Sequence, residues 1–407
     1  MQRQLENAPG TTHEVLVSRQ AIYDPQLDVM AYTLCFHSGE MHDYQATAQG
    51  FLTSFLELGL ETLVGPKRAF LPLTRGFVLM GYGTMFPPER VVLVLPAALR
   101  GDEELLEVLH EVSAQGYAIA LADNLEYAPS PSFVEHATFL TLDVSALDRP
   151  TLEQRVACLQ AYALPLVAQQ VQTWEDFQYC RDLGFTFFHG TFVCQPAVLT
   201  SQRLPTNHLA ILPLLSALQD PLVTVDTLAN LISRDVALSY RLLRAINTAA
   251  YGQVHPITSI PQAVRLLGVT AITRWTTLML LTEVHDKPSE LVTLAMVRAT
   301  MCERLAQTLA PQHTASCFLV GLFSVLDALM DRPMPEVLRA LPLADEIQTA
   351  LLEYTGSPGA LLHCVLAYER GNWEEATRLG LDHNSLVDAY LQALTWAVET
   401  RAALGCA

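Results

Sequence analysis

The sequence predicts two domains of different class, an α/β domain, open or barrel-shaped, followed by an all-helical one. Three observations carry this. The chain has 407 residues, more than one core ordinarily holds. Up to about residue 196, short runs that are apolar on both faces alternate with longer amphipathic stretches, the pattern of buried parallel strands separated by helices. Beyond Leu204-Pro205 the strand-like runs cease and apolar spacings near 3.6 residues take over. A polar tail over residues 1–13, an α/β domain over 14–200 and a helical domain over 201–407 follow from these breaks.

In the first domain, residues 15–18, 68–73, 91–95, 118–122, 139–143 and 166–168 read as strands. Residues 103–115, 152–162 and 173–183 read as helices, and Gly116, Gly184 and Gly190 fall where one element should stop. Pro72 removes a ladder donor from its run, so that strand is expected at an edge or irregular. In the second domain Thr224 is placed to cap a helix over 226–232, and a second helix spans 236–249. Ser259 caps a third, with Pro261 in its first turn. Gly268 interrupts before a helix over 271–283, and later breaks fall at Pro311, Pro333, Pro342 and 356–359.

Hydrophobic residues make up 51% and charged residues 16%, a balance opposite to that of disordered chains. The net charge of -18 repels phosphate backbones, so no nucleic-acid partner is expected. Eight cysteines form no CxxC pair, and their wide spacing suits buried thiols in a reducing compartment. The polar N-terminus has no signal-peptide core and no clean apolar span reaches bilayer length, the nearest being 314–330 with Asp327 inside it. A cytoplasmic protein without membrane insertion is expected.

The helical half carries the clearest motif signal. Ile211-Leu212-Pro213-Leu214-Leu215, Leu218-Gln219-Asp220-Pro221 and Ile232-Ser233-Arg234-Asp235-Val236 resemble the opening of the HDOD family. Leu242-Leu243-Arg244-Ala245-Ile246-Asn247 and Ser259-Ile260-Pro261-Gln262-Ala263-Val264-Arg265-Leu266-Leu267-Gly268 continue the resemblance. HDOD domains are helical relatives of HD metal-dependent phosphohydrolases that have lost the metal site and act as regulatory interaction modules. Here Ser324 and Val325 stand where the His-Asp pair would be, and valine cannot ligate. The literal dipeptides His42-Asp43 and His285-Asp286 lack that context.

The first half resembles the EAL domains fused to HDOD in YuxH-type proteins, through Ser18-Arg19-Gln20-Ala21-Ile22-Tyr23-Asp24, 116–123 and 183–190. This resemblance implies a TIM-barrel-like domain handling cyclic di-GMP with two divalent metals. Carried over position by position, the naming glutamate falls on Thr33, the asparagine on Pro72 and the strand glutamate on Val94. The paired aspartates fall on Ala122 and Asp123, and the lysine on Thr141, with Asp143 kept nearby. The late glutamates fall on Gln169 and Gln172, and the glutamine of the last strand on His189. Asp123, Asp143, Gln169, Gln172 and His189 thus form the remnant pocket. The plainer readings are that both aspartates cap strand ends and that His189 is a satisfied core residue.

No P-loop, GxGxxG, HExxH, GxSxG or EF-hand pattern occurs. The expectation is therefore a degenerate EAL barrel plus HDOD domain without catalysis, catalytic residues, metal or cofactor. It would act through a kinase, another regulator or a second copy of itself. A cyclic di-GMP receptor and an active phosphodiesterase with rearranged ligands are the alternatives. Trp275, Met279 and Leu280 read as core before they read as a contact stripe.

Overall fold

The computed structural model describes residues 15–38, 59–95, 102–123, 131–197, 215–218, 224–233, 235–248, 257–282, 287–341 and 343–404. The dipeptides at 42–43 and 285–286 and the junction at 204–205 lie outside them. The chain divides into two compact units. One comprises Met1–Phe192 with Leu366–Leu391, the other Val193–Val365 with Gln392–Ala407. The first unit thus ends near residue 192 and takes in a later segment. Residues 366–391 complete the barrel unit.

In the barrel unit eight strands close into a barrel in chain order. They are β1 (Val15–Tyr23), β2 (Val29–Ser38), β3 (Arg68–Pro72), β4 (Val91–Leu95), β5 (Ala118–Ala122), β6 (Phe139–Asp143), β7 (Leu166–Val171) and β8 (Phe187–Gly190). β1 runs antiparallel to both β2 and β8, while β2 to β8 pair in parallel. Closure gives every strand a neighbour on both sides, although β1 meets β8 only at Ile22 and Tyr23. Pro72 is accordingly not in an edge strand. It ends β3 opposite Val94, and the next amide, Leu73 N–H, takes over by donating to the Val94 carbonyl at 2.9 Å.

Local signals set the helices. Asp102, Asp148 and Thr173 accept the N3 amide hydrogens of α3 (Glu103–Ala114), α5 (Arg149–Gln160) and α6 (Trp174–Asp182). The earlier α1 (Leu60–Val64) and α2 (Arg75–Leu79), and α4 (Pro131–Val134), are single turns too short for periodicity to announce. At the β1–β2 hairpin Asp24 Oδ1 accepts from the amides of Gln26 and Asp28 at 2.9 and 3.0 Å, which holds the turn.

The second unit is helical. Thr224 caps α7 (Val225–Ser233) through Thr227 N–H at 3.2 Å, and α8 (Val236–Thr248) follows. Ser259 caps α9 (Ile260–Thr282) through Gln262 N–H at 3.3 Å. Gly268, at φ 83°, breaks α9 internally, a conformation that costs glycine little. Trp275, Met279 and Leu280 are buried, as core residues. By length and composition α9 could cross a membrane, contrary to the expectation that no span would, but half of its apolar window is buried. α10 (Ser289–Leu309) packs on α11 (Thr314–Phe323), with Gly321 at the contact. α12 (Leu326–Met330), α13 (Met334–Arg339), α14 (Asp345–Glu353), α15 (Gly356–Glu369), α16 (Trp373–Ala376) and α17 (His383–Leu404) complete the chain. The described cysteines are all free thiols.

Candidate functional site

The barrel interior is built by strand alternation. Ile22, Ala31, Phe70, Val92, Val94, Ala120, Phe139 and Val167 form one apolar cluster, with Phe187 packed against it. Phe139 meets Phe70 at 5.5 Å and Phe187 at 5.9 Å between ring centroids. Two residues further toward the C-terminal strand ends, Thr141 shares the face of Phe139, and His189 shares that of Phe187. In parallel barrels, this end carries function because the strand termini and following loops converge there.

The local backbone at β7 and β8 is irregular. Their register shifts between Ala168 and Val171, and Gln170 adopts φ 60°. Gly190 allows the close approach that this bulge requires, since a Cβ there would lie 2.0 Å from the Val171 carbonyl oxygen. The bulge and Gly190 together fix the position of His189.

His189 is 6% exposed, and neither ring nitrogen has a hydrogen-bond partner. The reading of a satisfied core histidine therefore fails. Burial pushes its pKa down to about 4, with Asp143 pulling weakly the other way. Thr141 Oγ1 is buried and equally unpartnered. Asp143 does what a strand-end aspartate ordinarily does: its Oδ1 accepts from Ser145 N–H at 2.9 Å and Ser145 O–H at 2.7 Å. Gln169 is half-buried on β7, and Gln172 is exposed just beyond it.

Asp123 is placed differently from its neighbours. Both its carboxylate oxygens are held by Arg155 of α5 in a bidentate ion pair. The Asp123 side chain is fully buried and that of Arg155 15% exposed. Donating these hydrogen bonds to the Asp123 carboxylate raises the Arg155 pKa. Arg155 was not singled out from the sequence, although it flanks the buried stripe Leu152, Val156 and Leu159. A cation beside such a stripe is the signal that could have found it.

A two-metal phosphodiesterase site needs converging carboxylates. Thr33, Pro72, Val94, Ala122, Thr141, Gln169 and Gln172 provide none, Asp123 is taken by Arg155, and Asp143 is left with a histidine neighbour. Among the described residues no group of three or more His, Cys, Asp or Glu could hold a metal ion.

In the helical unit, the place of a His-Asp pair is occupied by Ser324, which follows α11, and by the fully buried Val325. Ser324 O–H donates to the Gly321 carbonyl at 2.7 Å and accepts from Arg298 Nη1 at 3.2 Å. Arg298 is itself buried and also donates to Cys194 Sγ at 3.4 Å. Burial raises the carboxyl pKa of nearby Asp327, against the pull of the Arg298 charge. Lys287 and Asp331 form a second buried ion pair. These pairs join residues distant in sequence and satisfy one another.

Comparison with known proteins matches residues 204–341 to the HDOD domain family. Along nearly its whole length the chain is similar to the uncharacterized protein YuxH of Bacillus subtilis (strain 168). The identity is 29% over 399 residues, covering 94% of this chain and 98% of YuxH. It is also similar to the cyclic di-GMP phosphodiesterase CdgJ of Vibrio cholerae, at 28% identity, covering 95% of this chain and 93% of CdgJ. Among solved structures it is similar to the EAL-domain protein YkuI of Bacillus subtilis in complex with cyclic di-GMP and calcium. The TM-score there is 0.38 at 15% identity, over 62% of this chain and 72% of that one. BlrP1 of Klebsiella pneumoniae, in a calcium and cyclic di-GMP complex, gives a TM-score of 0.37 at 16% identity, over 45% and 56%.

These relationships correct one expectation. The sequence reading ended on a chain without catalysis, but a relative aligned with 95% of it is a cyclic di-GMP phosphodiesterase.

Proposed function

We propose, from the premise that this is an EAL–HDOD signalling protein, that its barrel unit handles cyclic di-GMP and its HDOD region engages other signalling proteins. The observation that carries the reading is the alignment with the phosphodiesterase CdgJ across both halves of the chain. The barrel supports it with polar side chains inside its C-terminal half, His189 near the end of β8 and Thr141 midway along β6. The HDOD region supports the second part. Its buried charges Arg298, Lys287 and Asp331 are engaged within the helical unit, which leaves its outer surface as the place for a partner.

The test is to incubate the full chain with cyclic di-GMP and magnesium or manganese, following heat and the linear dinucleotide together. Turnover identifies a phosphodiesterase, and heat without turnover a receptor. The absence of both heat and turnover would sink the dinucleotide half of the proposal.

A further inference from the structure

We infer that His110 and His136 form a two-imidazole site for a transition-metal cation of the zinc class, on the outside of the barrel unit, with Glu107 and Glu111 supplying negative charge beside it. This inference does not rest on the cyclic di-GMP reading.

The four residues, with Leu106, line one open cavity of about 440 Å³. Glu107, His110 and Glu111 come from α3, where spacings of three and four residues bring side chains to one face. His136 comes from the turn after α4 that leads into β6. The cavity thus lies on segments that lead into strands, whereas the C-terminal strand ends are built by the segments that follow them.

The rings of His110 and His136 meet at 5.4 Å between centroids, with 77° between their planes. Two imidazoles on one tetrahedral zinc, each bonded at about 2.1 Å, hold their ring centres about 5 Å apart. Imidazole suits zinc, nickel and copper, while magnesium and calcium seek oxygen. An edge-to-face ring contact alone would account for the spacing, but not for the charges around it. α3 has four glutamates and no Lys or Arg. Arg75 engages Glu104 near the start of the helix. Among the described residues no hydrogen bond or ion pair engages the side chains of Glu107 and Glu111. Like charges one turn apart repel, and Glu111 stands near the helix C-terminus, where an anion is unfavourable. A cation between these carboxylates and the imidazoles relieves both. No three of the side chains converge as they stand. The two imidazoles therefore hold the ion, and water and the exposed Glu107, turned inward, complete its shell.

The experiment strips the full chain with a chelator and titrates it with zinc by calorimetry, in excess magnesium. It compares the wild type with His110→Ala, His136→Ala and the joint Glu107→Gln, Glu111→Gln variant. His110 is exposed and His136 half-buried, so neither alanine opens the core. The wild type is expected to take up zinc that magnesium does not displace. Each histidine change should weaken that binding by roughly tenfold or more, and the joint glutamine variant by a smaller factor. Absence of zinc uptake by the wild type overturns the inference. Binding that both histidine variants leave within about twofold of wild type overturns it as well, by placing the ion elsewhere. Loss in one histidine variant alone also overturns it, because the site needs both rings.

Discussion

The hydroxyl of Tyr390 accepts the backbone N–H of Arg19 at 3.0 Å, across 371 residues of sequence. Beside it Tyr368 O–H donates to the Val17 carbonyl at 2.8 Å, and the two rings pack at 5.1 Å. Gln20 Nε2 adds a bond to the Glu369 carbonyl at 2.9 Å. The late residues 366–391 thus cover the stretch of β1 that β8 does not pair. Arg19 itself is fixed from the other side, its guanidinium over the Tyr32 ring and its Nη1 donating to the Leu63 carbonyl.

Removing these hydroxyls should loosen the barrel unit. Tyr390→Phe leaves a buried backbone N–H unpaired, and Tyr368→Phe leaves a buried carbonyl unpaired. Each should cost about 1–2 kcal/mol, and the double variant about the sum or more. Urea denaturation followed by tryptophan fluorescence checks this. A double variant as stable as wild type would mean the contacts contribute nothing.

The Asp123–Arg155 pair is predicted to be asymmetric. Arg155→Ala strands a fully buried carboxylate and should destabilise by about 3–5 kcal/mol. Asp123→Ala frees a guanidinium that is already partly exposed, so its cost should be smaller. The double variant should recover part of the Arg155→Ala loss. Thermal melting of the three proteins is the measurement, and equal losses from the two single changes would refute the asymmetry.

Gly321 lets α11 lie against α10. A Cβ there would fall 2.5 Å from the Arg298 carbonyl oxygen and 2.6 Å from Ala299 Cα, both backbone atoms that cannot move alone. Gly321→Ala should therefore lower the melting temperature of the helical unit by several degrees, although alanine is the better helix former. Gly380→Ala, where no atom lies within 4 Å but φ is 73°, provides a contrast in which only backbone strain acts.

Stability should also depend on pH through His189. Burial holds its folded pKa near 4, against 6.5 for the free side chain. Between these values the unfolded state takes up a proton that the folded state excludes. The stability is fully present above about pH 6.5 and declines as pH falls toward 4, by roughly 3 kcal/mol in all. His189→Gln removes this titration, so the gap between variant and wild type should shift in favour of the variant on going from pH 7 to pH 4.5. A constant gap across that range would show that His189 titrates normally.

Much of the architecture was legible from local pattern. Runs such as Val91–Leu95 are apolar at every position because both faces of a closed parallel barrel are covered, and every residue of that strand is buried. Thr224, Ser259 and Gly268 announced two helix starts and a break because capping and positive φ depend on one or two residues alone. The single turns α1, α2 and α4 were not legible, since fewer than six residues show no period.

The candidate site was read only in part. Alternation puts Thr141 within β6 and His189 within β8, but does not say whether their polar atoms would find partners. Asp123 looked like a member of the same pocket until its Arg155 partner, 32 residues away, appeared. The grouping of residues 366–391 with the barrel unit was not legible for the same reason. Periodicity says that 366–391 is helical and amphipathic, but not which apolar surface it covers.

What the sequence by itself determined is the type and order of elements, the change from strand–helix alternation to helix alone, and the resemblance of the helical half to HDOD. Each is written in neighbouring residues, where burial repeats with period 2 or 3.6. What only the tertiary structure decided is closure of the barrel with an antiparallel β1, the return of 366–391 to that strand, the engagement of Asp123 by Arg155, and the solitude of His189. Each depends on which distant groups meet once the chain is packed, and a buried polar atom is satisfied or orphaned by its neighbours in space, not by its neighbours in sequence.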